Sequence, residues 1–299
     1  MRGWPTWLIA GGLIALGAVA AADAIRPGLD ASERMPQEAT TEETRSGEPH
    51  GLLAVAGSDC SVAAVMLPGS IRLEPRRPGN CNGAVWSADH TLTASCTGGV
   101  TTIAGPDAGV IRLRGCAPAW RPDGAVSIID DGDLHIARRR GRPQLHLARA
   151  ELAGSLAAEL QGGRKYELVE VAWHGTAAFA GIVAGPKAGQ RAVILYAPEG
   201  VTAVFPEFGH EVAAIRVSPL GNMVAFRRDR EIVVLDPAGG EVPIPAVESA
   251  RAIAWSEDEQ WVALATSDET VIARTGSREV AMRLALGGDT VEWLDSGPR

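Results

Sequence analysis

The chain has 299 residues and a formal net charge of −8, and 46% of its residues are hydrophobic but only 5% aromatic. This length fits two ordinary domains or one large all-β domain, with a core filled mainly by aliphatic side chains and alanine. The acidic balance argues against a nucleic-acid partner, which would require a basic face.

The first segment, residues 1–24, is apolar and reads MRGWPTWLIAGGLIALGAVAAADA. Its uncharged stretch 3–22 is long enough, at about 1.5 Å per residue, to cross a hydrocarbon core of about 30 Å. Trp4 and Trp7 lie where interfacial aromatic anchors belong. The small residues near its end also fit a cleavage site, so the alternatives are a single-pass transmembrane anchor and a cleaved signal peptide. The anchor places the C-terminal domain outside the cytoplasm, at the cell surface or in the periplasm, and cleavage gives a secreted protein.

The next segment, residues 25–50, is rich in Pro, Glu, Thr and Ser and has few apolar residues. Residues 23–50 contain seven Asp or Glu and three Arg. Such a composition cannot bury enough surface to fold. The sequence therefore predicts a disordered acidic tether between the membrane and the rest of the chain.

From Gly51 onward, short apolar runs alternate with turns rich in Gly, Pro, Asp and Ser, a pattern typical of β-strands. One apolar run recurs with a Trp at its end, and a further copy has Val in the same position. The marker positions are Trp86, Trp120, Trp173, Val217, Trp255 and Trp293, spaced by 34, 53, 44, 38 and 38 residues. A period near 40 residues with four short strands indicates a β-propeller blade.

Two of these copies, PAWRPDGAVSIIDDGDLHIA and IRVSPLGNMVAFRRDREIVVLD, resemble the repeat of TolB-type and WD-like bacterial β-propellers. In that repeat an inner strand ends in Trp-Ser-Pro-Asp-Gly and an apolar second strand follows. The resemblance extends over nearly all of the chain after Gly51, although only Trp120 is followed by the complete Pro-Asp-Gly turn. It implies the architecture and leaves the function open, because many unrelated roles use this scaffold.

The repeats predict an all-β fold over residues 51–299, a six-bladed β-propeller of four-stranded blades. Five blades are predicted over residues 83–114, 117–149, 168–206, 212–245 and 251–285. Three strands remain at the start, GLLAVAG, SVAAVML and SIRLEPR, and one at the end, TVEWLD. Together they complete a sixth blade with the C-terminal strand innermost, which removes an open sheet edge.

Four cysteines in an exported domain indicate two disulfides. In the propeller, Cys60 and Cys96 lie at turns between second and third strands, and Cys81 and Cys116 lie just before inner strands. These loops emerge on the same face of a propeller. The repeat therefore predicts the bonds Cys60–Cys81 and Cys96–Cys116, against the alternative of four reduced, buried thiols.

Motifs for nucleophilic, phosphate-binding or zinc chemistry do not occur in the sequence. His135 and His146 flank one hairpin but lack an evident third metal ligand. The acidic run at Asp130, Asp131 and Asp133 fits a hairpin turn better than a calcium loop. No catalytic, cofactor-binding or metal-binding residue is therefore predicted.

Two further features could contact partners. The densest basic cluster, Arg138, Arg139, Arg140 and Arg142, is predicted in a turn on the face where the tether enters, and it either faces anionic lipid head groups or is merely solvated. An insertion over residues 150–163 repeats Leu every four residues, at Leu152, Leu156 and Leu160, and predicts a helix on the disulfide-bearing face. That helix packs on the rim, covers the propeller's mouth or presents its leucines to a partner.

These features favour a membrane-tethered, extracytoplasmic binding or assembly module without catalytic activity, whose open face engages a protein, peptide or glycan. The alternative is a propeller enzyme of the lactonase, glycosidase or lyase type. Its carboxylates would converge on the central channel from different blades and leave no local motif.

Overall fold

The computed structural model describes residues 48–57, 62–68, 70–74, 85–87, 92–105, 109–138, 142–157, 159–160 and 165–294. The predicted anchor or signal peptide and nearly all of the predicted tether lie outside these residues. Within the described ranges, no helix combines the length and apolarity that crossing a membrane requires.

The strands form six antiparallel sheets, named A to F in chain order. Sheet A begins with β1 (Gly51–Ala56), β2 (Val62–Leu67) and β3 (Ser70–Glu74). Sheet B consists of β4 (Val85–Trp86), β5 (Thr93–Thr97), β6 (Val100–Gly105) and β7 (Gly109–Arg114). Sheet C consists of β8 (Cys116–Trp120), β9 (Val126–Asp130), β10 (Asp133–Ala137) and β11 (Gln144–Leu147).

One helix, α1 (Arg149–Leu156), follows sheet C. Sheet D consists of β12 (Glu167–His174), β13 (Ala178–Ala184), β14 (Arg191–Ala197) and β15 (Gly200–Pro206). Sheet E consists of β16 (Val212–Val217), β17 (Val224–Arg228) and β18 (Glu231–Leu235). Sheet F consists of β19 (Ala252–Trp255), β20 (Trp261–Ala265), β21 (Thr270–Arg274) and β22 (Val280–Leu284), and β23 (Thr290–Leu294) completes sheet A.

Buried apolar side chains fill the spaces between neighbouring sheets. Clusters in the described residues lie between B and C, C and D, D and E, E and F, and F and A. One strand of every sheet, namely β4, β8, β12, β16, β19 and β23, borders the same cavity. The sheets are therefore arranged around a common axis like the blades of a β-propeller, with these six strands innermost.

The two ends of the repeat region meet in sheet A, as the strand count predicts. β23 pairs antiparallel with β1, and Leu53 lies opposite Trp293 and Val55 opposite Val291. Leu53, Val55 and Val291 are all buried in the cluster between sheets F and A. The pairing supplies partners for an edge of β1 that would otherwise be open.

Sheet E departs from the prediction of four strands in every blade, because residues 212–245 contain only three. After β18 the chain makes a single bridge between Leu235 and Glu241, and the Val242 N–H donates to the Val234 carbonyl at 2.8 Å. Pro243 and Pro245 follow, and proline cannot donate the N–H that a strand ladder requires. The apolar side chains of this segment still pack against the core between E and F, where Val242 and Ile244 are partly buried.

The hydrogen bonds of the Ser that follows the marker position explain why the repeat has Ser there. In three sheets it is buried, and its backbone N–H and hydroxyl both bond to the residue five positions later. Ser218 donates its N–H to the Met223 carbonyl at 3.0 Å, and its Oγ accepts the Met223 N–H at 2.9 Å. The same bonds join Ser87 to Leu92 and Ser256 to Trp261. The Ser therefore closes the turn between the first two strands of a blade.

The helix of the insertion does not cover the propeller's mouth. It contacts β12 and β15, and no residue of it borders the central cavity. Leu152, Leu156 and Leu160 are 1%, 0% and 3% exposed in the cluster between sheets C and D, so their side chains are not accessible to a partner. These leucines therefore fill part of the space between sheets C and D.

Candidate functional site

The main candidate site is the central cavity, with a volume of about 560 Å³. The innermost strands of all six sheets border it, so it lies on the axis of the propeller. Much of its wall is formed by small or aliphatic residues, including Ala117, Ala119, Ala172 and Ala252. Because each innermost strand has no neighbour on its axial side, backbone polar groups also face this space.

Irregular pairing shapes the wall in three neighbouring sheets. The register shifts between Cys116 and Ala119 in β8, between Leu168 and Glu170 in β12, and between Ala213 and Arg216 in β16. In β8 and β16 an alanine within the bulge has a positive φ, 50° at Ala117 and 58° at Ala214. Non-glycine residues rarely adopt this conformation, so the surrounding structure must hold it.

Glu170 holds the bulge of sheet E in place. Its Oε2 accepts the N–H of Ala214 at 2.9 Å and its Oε1 accepts the N–H of Ile215 at 3.0 Å. Burial raises the pKa of the Glu170 carboxyl, and the Arg216 guanidinium and the two backbone donors oppose that rise. One carboxylate therefore joins sheet D to sheet E at the wall of the cavity.

Other charged side chains of the wall are bonded locally. The Arg216 Nη1 donates to the carbonyl of Ile215 at 2.8 Å. Arg251 of sheet F forms an ion pair with Asp289, which precedes β23 in sheet A. The ion pair joins sheets F and A beside the axis, whereas the Arg216 bond stays within β16.

Replacing Glu170 with Ala should destabilise the fold by about 1–3 kcal/mol, because the N–H groups of Ala214 and Ile215 lose their acceptors. Since the folded protein holds the Glu170 proton more tightly than the unfolded chain, wild-type stability falls as the pH rises through the pKa of this group. The difference in the free energy of unfolding between wild type and Glu170→Ala should therefore become smaller over the same pH range. Urea unfolding of wild type and Glu170→Ala at several pH values measures this difference. The control is Glu231→Ala, which changes an exposed glutamate of β18. Equal stability of wild type and Glu170→Ala at every pH would contradict the role of Glu170.

The structure has one predicted disulfide, between Cys96 of β5 and Cys116 of β8, with Cα atoms 5.3 Å apart. It joins sheets B and C. Cys60 and Cys81 lie outside the described residues, so their pairing stays a prediction.

The predicted arginine cluster lies beside the turn between β10 and β11. Arg138 is 80% exposed and its Nη2 lies 3.5 Å from a carboxylate oxygen of Asp123. Arg142 is exposed, and Arg139 and Arg140 lie outside the described residues.

Of the histidines and aspartates considered as metal ligands, His146 packs against an aromatic ring and Asp131 forms part of a turn. The His146 ring packs edge-on against Trp173 at 5.4 Å, and Asp131 and Gly132 form the turn that joins β9 to β10. Within the ranges that the structure describes, no three His, Cys, Asp or Glu side chains are grouped to hold a metal ion.

Glu170 was not predicted from the sequence. A signal was present, because Glu170 lies three positions before a marker Trp, where the copies ending at Trp120, Val217 and Trp255 have Ala. A single acid among small residues at a repeated position indicates a contact that one blade alone requires.

No protein-family model matches the chain, and no curated protein matches its sequence. Its structure is similar to the β-propeller domain of Myceliophteria thermophila Cps50 (Swd1), with a TM-score of 0.50 and 12% identity over 84% of this chain and 91% of that one. A chain in the crystal structure of a mitotic checkpoint complex has a TM-score of 0.48 and 12% identity, over 91% of this chain and 92% of that one. The similarity to Cps50 confirms the WD-like β-propeller fold.

Proposed function

We propose that this chain is a TolB-type β-propeller of six blades that stands outside the cytoplasm on a bacterial membrane. There it binds a protein, peptide or glycan and catalyses no reaction. The N-terminal apolar segment attaches the chain to the membrane, and the acidic segment that follows lets the propeller extend away from the membrane surface.

The contacts at the cavity wall support the binding role. Glu170, Arg216 and the Arg251–Asp289 pair bond to the backbone of the wall or to each other. A catalytic group requires freedom to exchange protons or to bond with substrate. Side chains that hold neighbouring blades together instead make a rigid scaffold, which suits a module that presents its turns to a partner.

The disulfide supports the extracytoplasmic location. Structural disulfides persist in oxidising compartments and are rare in the cytosol. The Cys96–Cys116 bond therefore agrees with the export that the sequence of residues 1–24 predicts.

Purification of the full-length chain from detergent-solubilised native membranes tests the proposal. The control carries residues 1–50 fused to an unrelated soluble domain, so that both proteins share the same membrane segment. We expect a partner enriched at least about tenfold over this control, as a specific interface requires. Equal recovery from both proteins would contradict the binding role.

The arginine cluster orients the domain in this proposal. Arg138 and Arg142 are exposed beside one turn, and Arg112 and Arg114 are exposed on the neighbouring outer strand β7. Anionic head groups attract each basic side chain near the surface by about 1 kcal/mol. Sheets B and C therefore face the bilayer.

Changing Arg138, Arg139, Arg140 and Arg142 to Gln should lower co-sedimentation with anionic vesicles at least about tenfold, because four attractions are lost. The chain from residue 48 onward is used, since it contains both strands that close the ring. The control changes to Gln four exposed basic residues that lie elsewhere in the domain: Lys187, Arg230, Arg274 and Arg278. Equal binding by the two variants would contradict a specific membrane-facing surface.

A propeller enzyme is the second candidate, and Glu170 favours it because this carboxyl lies at the cavity wall and burial raises its pKa, as is typical of general acids. Glu170→Ala separates the two functions. If Glu170→Ala loses hydrolysis of a lactone or glycoside while its binding of the partner is unchanged, the result would support the enzyme.

A further inference from the structure

A second, smaller cavity opens between sheets D and E. It has a volume of about 160 Å³, lies at the ends of β12, β14 and β16, and shares Val217 with the lining of the central cavity. Phe179, Tyr196, Met223 and Val224 form its apolar walls, and Thr202 borders it on the exposed face of β15. This space, called the D–E crevice below, matches the volume of one large apolar side chain.

The walls of the D–E crevice are fixed by packing. The rings of Phe179 and Tyr196 stack with centroids 4.7 Å apart. The His174 ring covers Gly221 so closely that a Cβ at residue 221 would have no room, and the positive φ of Gly221, 78°, also requires glycine. A cavity formed before binding loses little conformational entropy when it is filled.

The turn at the edge of the crevice carries an exposed leucine. Leu220 is 57% exposed, and its backbone N–H donates to Oε1 of Glu259 at 2.7 Å. Oε2 of the same carboxylate accepts a hydrogen bond from Asn222 at 3.1 Å, and Glu259, from sheet F, is only 8% exposed. A buried carboxylate from the neighbouring sheet therefore holds Leu220 in a solvent-facing position.

The surroundings of the crevice are acidic. Glu199 lies in the turn between the lining residues Ala197 and Thr202. Asp236 precedes the lining residue Pro237, and Glu259 accepts the backbone N–H of Leu220. An apolar cavity with an acidic rim complements an apolar side chain flanked by basic residues.

We propose that the D–E crevice binds a basic linear segment of a partner protein, which inserts one Leu- or Phe-sized side chain between Tyr196 and Val224. Leu220 packs against the inserted side chain, and the carboxylates of the rim attract the flanking Lys and Arg. This inference rests on the proposed binding function and names the class of partner.

The test uses the full chain in nanodiscs of neutral lipid and a fluorescent peptide Lys-Arg-Gly-X-Gly-Arg-Lys. With X as Leu or Phe we expect binding at least about tenfold tighter than with X as Ala, because only the larger side chains fill the cavity. The peptide Glu-Asp-Gly-Leu-Gly-Asp-Glu should not bind, and added salt should weaken the binding of the basic peptide. Equal affinity for X as Leu and Ala, or no binding at millimolar peptide, would overturn the proposal.

Variants locate the binding site. Thr202→Trp fills the mouth of the crevice, Leu220→Asp removes its apolar edge, and Glu199→Lys reverses a charge of its rim. Each should weaken the Leu peptide at least about tenfold. The matched controls are Leu145→Asp, at a leucine of sheet C with the same 57% exposure, and Glu248→Lys, at an exposed glutamate before sheet F. If the controls weaken binding as much as the crevice variants, the peptide binds by net charge and the proposal is wrong.

A photo-reactive phenylalanine at X provides a second readout. It should cross-link to segments 196–202 and 217–224, and cross-links confined to other sheets would overturn the proposal. The membrane purification described above separates this inference from the proposed function. A partner retained by Leu220→Asp and Thr202→Trp would refute the crevice alone, whereas a wild-type chain without any partner would refute the binding function.

Discussion

Ending the chain at Gly288 should abolish cooperative folding of the whole domain. The truncation removes β23, which pairs with β1 and buries Val291 beside Leu53 and Val55. Burying a large apolar side chain stabilises a protein by about 1.5–3 kcal/mol and each hydrogen bond by about 1 kcal/mol. The strand therefore contributes an amount comparable to the total stability of a domain, about 5–15 kcal/mol.

Thermal unfolding followed by circular dichroism measures this effect, with a chain ending at Leu294 as control because it keeps all of β23. The shorter chain should show no cooperative transition, or one lowered by at least about 15 °C. A chain ending at Gly288 that melts like the control would show that β23 does not hold the ring closed.

Removing the disulfide with the paired changes Cys96→Ala and Cys116→Ala should cost about 3 kcal/mol, because the bond closes a loop of about 20 residues in the unfolded chain. For a domain of this size the melting temperature should fall by roughly 6–12 °C. Urea unfolding of wild type and double variant gives the free energy directly.

Adding reductant provides the matching control. Wild type should lose at least as much stability in reductant as the double variant loses by mutation. Any further loss that reductant causes in the double variant reports on Cys60 and Cys81. Equal melting of oxidised wild type and double variant would contradict a stabilising bond between sheets B and C.

The fold could be predicted because its signals are local and repeated. Ser218 bonds to Met223, and Ser256 to Trp261, within five residues, so the same short pattern recurs in the sequence wherever the turn recurs. The closure of sheet A followed from counting strands, since three unpaired strands at one end and one at the other complete a blade. Pro243 and Pro245 also indicate that sheet E lacks a fourth strand. The expectation of four strands in every blade outweighed this signal.

The sites were much harder to predict, because their contacts join distant positions. Glu170 bonds to residues 44 and 45 positions away, and Glu259 to residues 39 and 37 positions away, each on another sheet. The leucines of α1 showed which face is buried but not that it fills the gap between sheets C and D. No local pattern places Phe179, Tyr196 and Val224 around one crevice, since their approach depends on how two blades pack.

The pairing of β1 with β23 also sets an order of events during synthesis. Its partner residues, such as Leu53 and Trp293, are separated by about 240 positions, and such non-local pairing forms slowly. One edge of β1 therefore has no strand to pair with until β23 has been synthesised. During that interval it can pair with strands of other chains, so the cell must keep the domain unfolded or shielded until its C-terminal strand arrives.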